Sequence, residues 1–196
     1  MLRKSAFPLF GFLVSCLFLV STAKADEVLV NGGFESGAIS PWFQDRSFGG
    51  AENWNATSAV AHSGSFSATD VGNKEIRQNF AAVANSSILS ITFWAEHPDA
   101  NIRDLAVDLF YSDATDDVVD VFTTGTGWNS FDVTSHLAAG KSLVGFSIFG
   151  NAGGRTYFDD ASITTRTATV PEPATMLLLG AGLAGLAGRI RRRRGE

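Results

Sequence analysis

The chain has 196 residues, 15 of them Lys or Arg, 20 Asp or Glu, and a single cysteine, which leaves room for one domain once its ends are set aside. Residues 26–170 hold 7 Lys/Arg against 18 Asp/Glu, a net −11. That charge disfavours nucleic acid, anionic lipid and acidic polymers, because the surface repels phosphate instead of releasing its counterions, and it leaves neutral glycans and divalent cations as compatible ligands.

The first 25 residues read as a secretory signal. Arg3 and Lys4 form a positive start, residues 7–20 an apolar stretch, and Ala23-Lys24-Ala25 the small residues that signal peptidase accepts, with cleavage after Ala25. This stretch of fourteen residues, interrupted by Pro8, Gly11, Ser15 and Cys16, falls short of the ~20 that a spanning helix needs. Leu13-Val14-Ser15-Cys16 resembles a lipobox, but the apolar run 17–20 that follows is a poor start for a mature lipoprotein. Cys16 leaves with the signal, so the exported domain is expected to be held by its core or by a bound metal, without disulfides.

Short alternating runs follow, separated by Gly, Asn, Asp and Ser. Strands are expected over 27–30, 66–71, 75–80, 88–96, 105–111, 117–123, 130–133, 143–149 and 156–164. In 88–96 the parity sets Leu89, Ile91, Phe93 and Ala95 on one face and Ser90, Thr92, Trp94 and Glu96 on the other. No amphipathic helix intervenes. The expected fold is all-β, an antiparallel β-sandwich or jelly roll over 26–164, with a lipocalin-like barrel as the competitor.

Residues 165–170 form a polar linker. Pro171-Glu172-Pro173 is stiff and extended, because each proline fixes φ and keeps its predecessor out of the α region. Residues 174–188 carry no charge; Arg189, Arg191, Arg192, Arg193 and Arg194 follow. As a transmembrane helix, 15 residues reach about 23 Å, short of a ~30 Å hydrocarbon core. The arginines orient such a helix with its end in the cytoplasm and the domain outside.

The order Pro-Glu-Pro, apolar stretch and arginine run closely resembles the PEP-CTERM sorting signal. That resemblance implies recognition by an exosortase near Pro171-Glu172-Pro173 and a Gram-negative host that makes exopolysaccharide. It implies a transient inner-membrane anchor with the domain in the periplasm, then delivery to the cell surface or extracellular matrix.

The domain carries a second resemblance. Residues 29–37 (Leu-Val-Asn-Gly-Gly-Phe-Glu-Ser-Gly) with Pro41-Trp42, then 61–67 (Ala-His-Ser-Gly-Ser-Phe-Ser), then 157–163 (Tyr-Phe-Asp-Asp-Ala-Ser-Ile) look like successive parts of galactose-binding-like jelly rolls, including carbohydrate-binding modules. The resemblance implies a structural Ca2+ held by Gly33, Glu35, Ser65 and Asp159, an oxygen set of the kind calcium takes. Strand parity places Asp159 with Ala161 and Ile163, pointing inward. No organic cofactor is implied.

Sugar binding needs an exposed aromatic surface beside polar groups. Trp94, on the non-core parity of its strand, and Trp54, in a polar loop, are the expected ligand contacts, while Trp42 and Trp128 are expected to pack structurally. Asp113, Asp116, Asp117 and Asp120 depart from an EF-hand and read as a solvated hairpin tip. His62, His97 and His136 read as surface or loop histidines. No nucleophile, zinc or phosphate-loop motif is present. Glu75 and Glu96 are the residues a glycosidase reading would have to pair. The expectation is a non-catalytic surface protein that associates with extracellular polysaccharide; a structural or adhesive protein without glycan ligand, and a hydrolase or lyase, are the alternatives.

Overall fold

The computed structural model describes residues 25–50, 53–98, 103–150, 154–166 and Gly180. The chain divides into two units, Lys24–Ala168 and the terminal segments Met1–Ala23 with Thr169–Glu196. Gly180 is the one described residue of the second unit. The expected signal, Pro-Glu-Pro segment, transmembrane helix and arginine run therefore lie outside the described residues, apart from the cleavage residue Ala25 and, within the apolar stretch, Gly180. Among the described residues no helix is long and apolar enough to cross a membrane.

Ten antiparallel strands build the first unit: β1 (Ala25–Glu27), β2 (Phe43–Gly50), β3 (Asn55–Thr57), β4 (Ser67–Ala84), β5 (Ile88–Glu96), β6 (Arg103–Tyr111), β7 (Asp116–Thr123), β8 (Asn129–Asp132), β9 (Ser142–Phe149) and β10 (Arg155–Arg166). One layer pairs in the order β7-β6-β9-β4-β2 and the other in the order β4-β10-β5-β8, with β3 on β4 and β1 on β10. This is the expected sandwich, in jelly-roll form.

The 18 residues of β4 tie the two layers. Its first part pairs with β3 and β10, and from Gly72 onward it pairs with β2 and β9. Two strands were expected here, because Gly72-Asn73 reads as a turn. Gly72, at φ 142, instead lets one strand bend from layer to layer without losing its partners.

Strands β2 and β3 carry few alternating apolar residues and were not foreseen. Their partners on β4 satisfy their backbone groups. Strand β1 starts at Ala25, ahead of the expected 27–30, and gives β10 a partner as far as Arg166, two residues into the expected linker.

The core is aromatic. Trp42, Phe34, Phe93, Phe146 and Phe158 are buried with ring centroids 5.6–6.1 Å apart in tilted and edge-on contacts. Phe93 of β5 meets Phe146 of β9 across the layers. On β5 the expected alternation holds for Ile91, Phe93 and Ala95, but Leu89 is 45% exposed and Ile88 is buried in its stead. The β5–β10 register slips between Thr164 and Thr165, beside Ile88, which resets the parity at that end.

Candidate functional site

The sequence Asn31-Gly32-Gly33-Phe34-Glu35 makes a turn that packs on β10. Asn31 (φ 56) and Phe34 (φ 55) hold left-handed backbone, stabilised by side-chain bonds from Asn31 to the carbonyls of Ala38 and Ser40. Gly32 receives the Ala161 N–H on its carbonyl at 3.1 Å. Opposite it, β10 carries a bulge between Asp159 and Ser162, with Asp160 at φ 48. Three of the four non-glycine residues with positive φ among the described residues thus gather at this junction, the kind of local strain that functional sites retain.

The bulge corrects the parity expected of Asp159. Phe158 is the residue that enters the core, opposite Ala95, and Asp159 pairs with Trp94 on the outer face. Asp159 is nonetheless fully buried, because the loop 58–66 lies over it. Its carboxylate accepts the backbone N–H groups of His62 (2.9 Å), Ser63 (3.3 Å) and Asp160 (2.8 Å). Burial pushes this carboxyl up to about 6, opposed by those backbone donors.

Glu35 holds the same loop from its other end, accepting the N–H groups of Ser65 and Phe66 at 2.9 Å. A side chain at Gly64 (φ +63) would fall 2.4 Å from the Glu35 carboxylate, so this approach requires glycine. Gly33 lies between the acids: a Cβ there would stand 3.3 Å from Asp160 Oδ1 and 3.8 Å from Asp159 Oδ1.

The structure therefore brings Gly33, Glu35 and Asp159 together, with Asp160 beside them. Hard oxygen donors around a buried carboxylate suit calcium, and a cation would relieve the desolvation of Asp159. Ser65 turns its amide toward Glu35 and stands exposed, so it contributes a donor where a ligand oxygen was expected. Among the described residues no three His, Cys, Asp or Glu side chains already form a metal-holding group.

Trp94 projects beside this cluster. The His62 ring stacks on its indole at 3.8 Å and 15°, and Trp128 meets His62 edge-on at 5.6 Å. His62 Nδ1 lies 2.6 Å from Asp160 Oδ2, and Ser63 donates its hydroxyl to Asp160 Oδ1 at 2.8 Å. All three rings are half-buried. His62 thus covers one face of the Trp94 indole, and the aromatic patch so formed includes Trp128, which was expected only to pack structurally, and His62, which read as a surface or loop histidine, with Asp160 beside them.

Trp54 does not join it. It is 3% exposed, packs edge-on against Phe158 and donates its Nε1–H to the Lys74 carbonyl at 2.8 Å, so it serves the core and offers no ligand surface. Trp42 packs structurally as expected, donating to the Asn31 carbonyl. His97 is buried, with Nδ1 against the Arg155 carbonyl, whereas His136 is exposed. Of the acidic hairpin, Asp117 accepts the Tyr111 hydroxyl and Asp113 pairs with Lys141 at 3.1 Å, so the tip is tied down as well as solvated.

The outer face of the other layer holds a separate constellation. The Arg46 guanidinium bridges Glu75 (Nε to Oε2, 2.6 Å) and Asp108, and lies over the rings of Phe149 (4.9 Å) and Phe110 (5.7 Å). Burial raises the Asp108 carboxyl, and Arg46 pulls it back. Glu96 sits on β5 with Trp94, on the opposite layer from Glu75, so the carboxylate pair that a glycosidase reading required is not formed. Glu75 and Asp108 do face each other, but one guanidinium occupies both.

Comparison with known proteins bears on both units. Residues 169–193 match the family model described as the PEP-CTERM protein-sorting motif. The chain carries a PEP-CTERM sorting motif. The PEP-CTERM motif indicates an exosortase-sorted surface protein, exported and delivered to the cell surface.

No curated protein matches the chain in sequence. Solved structures do match in fold. One is TmCBM61 in complex with β-1,4-galactotriose, 23% identical over 72% of this chain and 99% of that one, TM-score 0.54. A second is the CBM22-1 xylan-binding domain of Paenibacillus barcinonensis Xyn10C, 16% identical over 76% and 100%, TM-score 0.52. A third is the enzymatically active domain of bacteriophage CBA120 tailspike protein 4, 14% identical over 72% of this chain and 21% of that one, TM-score 0.54. The unit Lys24–Ala168 has the jelly-roll fold of carbohydrate-binding modules.

Proposed function

We propose that this protein is a non-catalytic glycan-binding component of the cell surface or extracellular matrix, which associates with neutral exopolysaccharide through the outer face around Trp94. The observation that carries this reading is the cluster of Trp94, His62 and Trp128 beside Asp160 and Ser63. Aromatic faces bind the apolar faces of pyranose rings, and adjacent polar groups take their hydroxyls. Carbohydrate-binding modules with the same fold include ones described with galactotriose and xylan, which supports the substrate class. The domain's negative charge favours a neutral polymer. The enzyme reading loses its support where Arg46 occupies both facing carboxylates.

In this reading Pro171-Glu172-Pro173 is presented to the exosortase while the apolar segment holds the chain transiently in the inner membrane of a Gram-negative cell, arginines inward. Processing then releases the domain to polysaccharide outside. The purified full chain should be retarded in affinity gels containing β-1,4-galactan, xylan or the host's own exopolysaccharide. Trp94→Ala should weaken that retention roughly thirty-fold, the effect of losing about 2 kcal/mol at an aromatic contact. If no polysaccharide retards the wild type, the protein is the structural or adhesive alternative.

We also propose that Glu35, Asp159 and the Gly33 carbonyl hold one structural calcium, with Ser65 placing its loop. A cation bound only by the folded state adds about 2.7 kcal/mol at a hundredfold excess over its dissociation constant. For a chain of this size that is roughly 5–10 °C in melting temperature. Calorimetry in calcium and in EDTA reads it directly, and identical melting in both discards the site.

A further inference from the structure

The loop 58–66 is fixed by acids on two other segments. Glu35 takes the N–H groups of Ser65 and Phe66, Asp159 those of His62 and Ser63. Asp160 alone reaches side chains, the His62 ring and the Ser63 hydroxyl. It does so from a bulge, with left-handed backbone, directly beside the residue that pairs with Trp94.

A carboxylate bonded to one ring nitrogen of histidine decides the tautomer, because that nitrogen must carry the hydrogen. Here Nδ1 faces Asp160, so in the neutral ring Nε2 is the bare acceptor. Among the described residues Nε2 has no hydrogen-bond partner, and the His62 side chain is 26% exposed. It lies on a ring held flat against Trp94.

We propose that Asp160 is the positioning residue of the aromatic site and that His62 is its polar contact, with Asp160 fixing the Nδ1–H tautomer so that Nε2 accepts a hydroxyl of a neutral sugar. The proposal rests on the glycan-binding reading above. It explains an acid at a strained position outside the backbone-holding pair Glu35 and Asp159. It also specifies the ligand: a group that donates a hydrogen bond beside an apolar ring face, as a pyranose does and an anion does not.

Two variants separate this role from a structural one. Asp160→Asn keeps the shape and tolerates φ 48, since asparagine is enriched in left-handed backbone. His62→Phe keeps a ring to stack on Trp94 and removes Nε2. Long-range 1H–15N spectra of the full chain should show His62 as the Nδ1–H tautomer, and Asp160→Asn, whose amide can accept from Nδ1–H through Oδ1 or donate to Nδ1 through Nδ2, should turn that single state into a mixture of the two tautomers. In affinity gels with the retarding polysaccharide, β-1,4-galactan or xylan, both variants should bind at least tenfold more weakly, with melting unchanged to within a few degrees.

If the wild type is retarded and His62→Phe is retarded equally, or if the wild type shows Nε2–H, the proposal is overturned and the glycan reading stands. Retardation of neither wild type nor variants by any polysaccharide overturns the glycan reading, and this inference with it.

Discussion

Replacing Arg46 with alanine should lower the unfolding free energy by about 3 kcal/mol. Glu75 is 0% and Asp108 1% exposed, and the Arg46 guanidinium is paired with both. Breaking a buried ion pair by removing one partner costs about 3–5 kcal/mol, because an uncompensated charge stays behind. The low end applies here, since the Arg46 side chain is 41% exposed and water can follow it out. The alanine also loses the cation–π contacts with Phe149 and Phe110. Urea titration measures the effect, and the triple variant Arg46→Met with Glu75→Gln and Asp108→Asn should recover most of it. If Arg46→Ala alone melts like the wild type, the guanidinium is not what stabilises the two acids.

Gly32→Ala should be as damaging although it adds one methyl group. The new Cβ would stand 1.9 Å from the Ala161 carbonyl oxygen, a backbone atom that cannot swing aside. Turn and bulge must separate, breaking the Ala161 N–H to Gly32 bond and disturbing Gly33 and Asp159 next to it. Overpacking against backbone costs about 3 kcal/mol or more, roughly 10 °C in a chain of this size. Gly125→Ala is the control. It has φ +71 with nothing within 4 Å of its Cβ, so only about 1 kcal/mol of backbone strain applies. Equal melting of the two variants would show that the turn does not pack on β10 as described.

The sequence carried much of the fold, because one-sided burial imposes a period of two that survives in β5, while β9 is buried on both faces from Gly145 to Phe149. It failed where pairing overrides pattern. Strand β4 looked like two strands because glycine marks turns more often than bends. Trp54 looked exposed because its neighbours Asn53 and Asn55 are polar; its indole reaches inward past them to a carbonyl of β4. Asp159 was expected to be buried by parity and is buried by a loop instead, since a one-residue bulge shifts every face beyond it.

By itself the sequence determined the address of this protein. Pro171-Glu172-Pro173 and the arginine run are local and contiguous, readable without a fold, and the family model finds the motif at 169–193. It also determined the fold class and the acidity of the domain. Only the tertiary structure decided which side chains meet around Trp94. His62 and Trp94 are 32 residues apart, and Asp160 is 98 residues from His62. A stack at 3.8 Å and a hydrogen bond at 2.6 Å between them depend on the register of β5 against β10 and on the bulge that turns Asp160 outward. Such contacts are set by strand pairing across the domain, and no local pattern of residues encodes them.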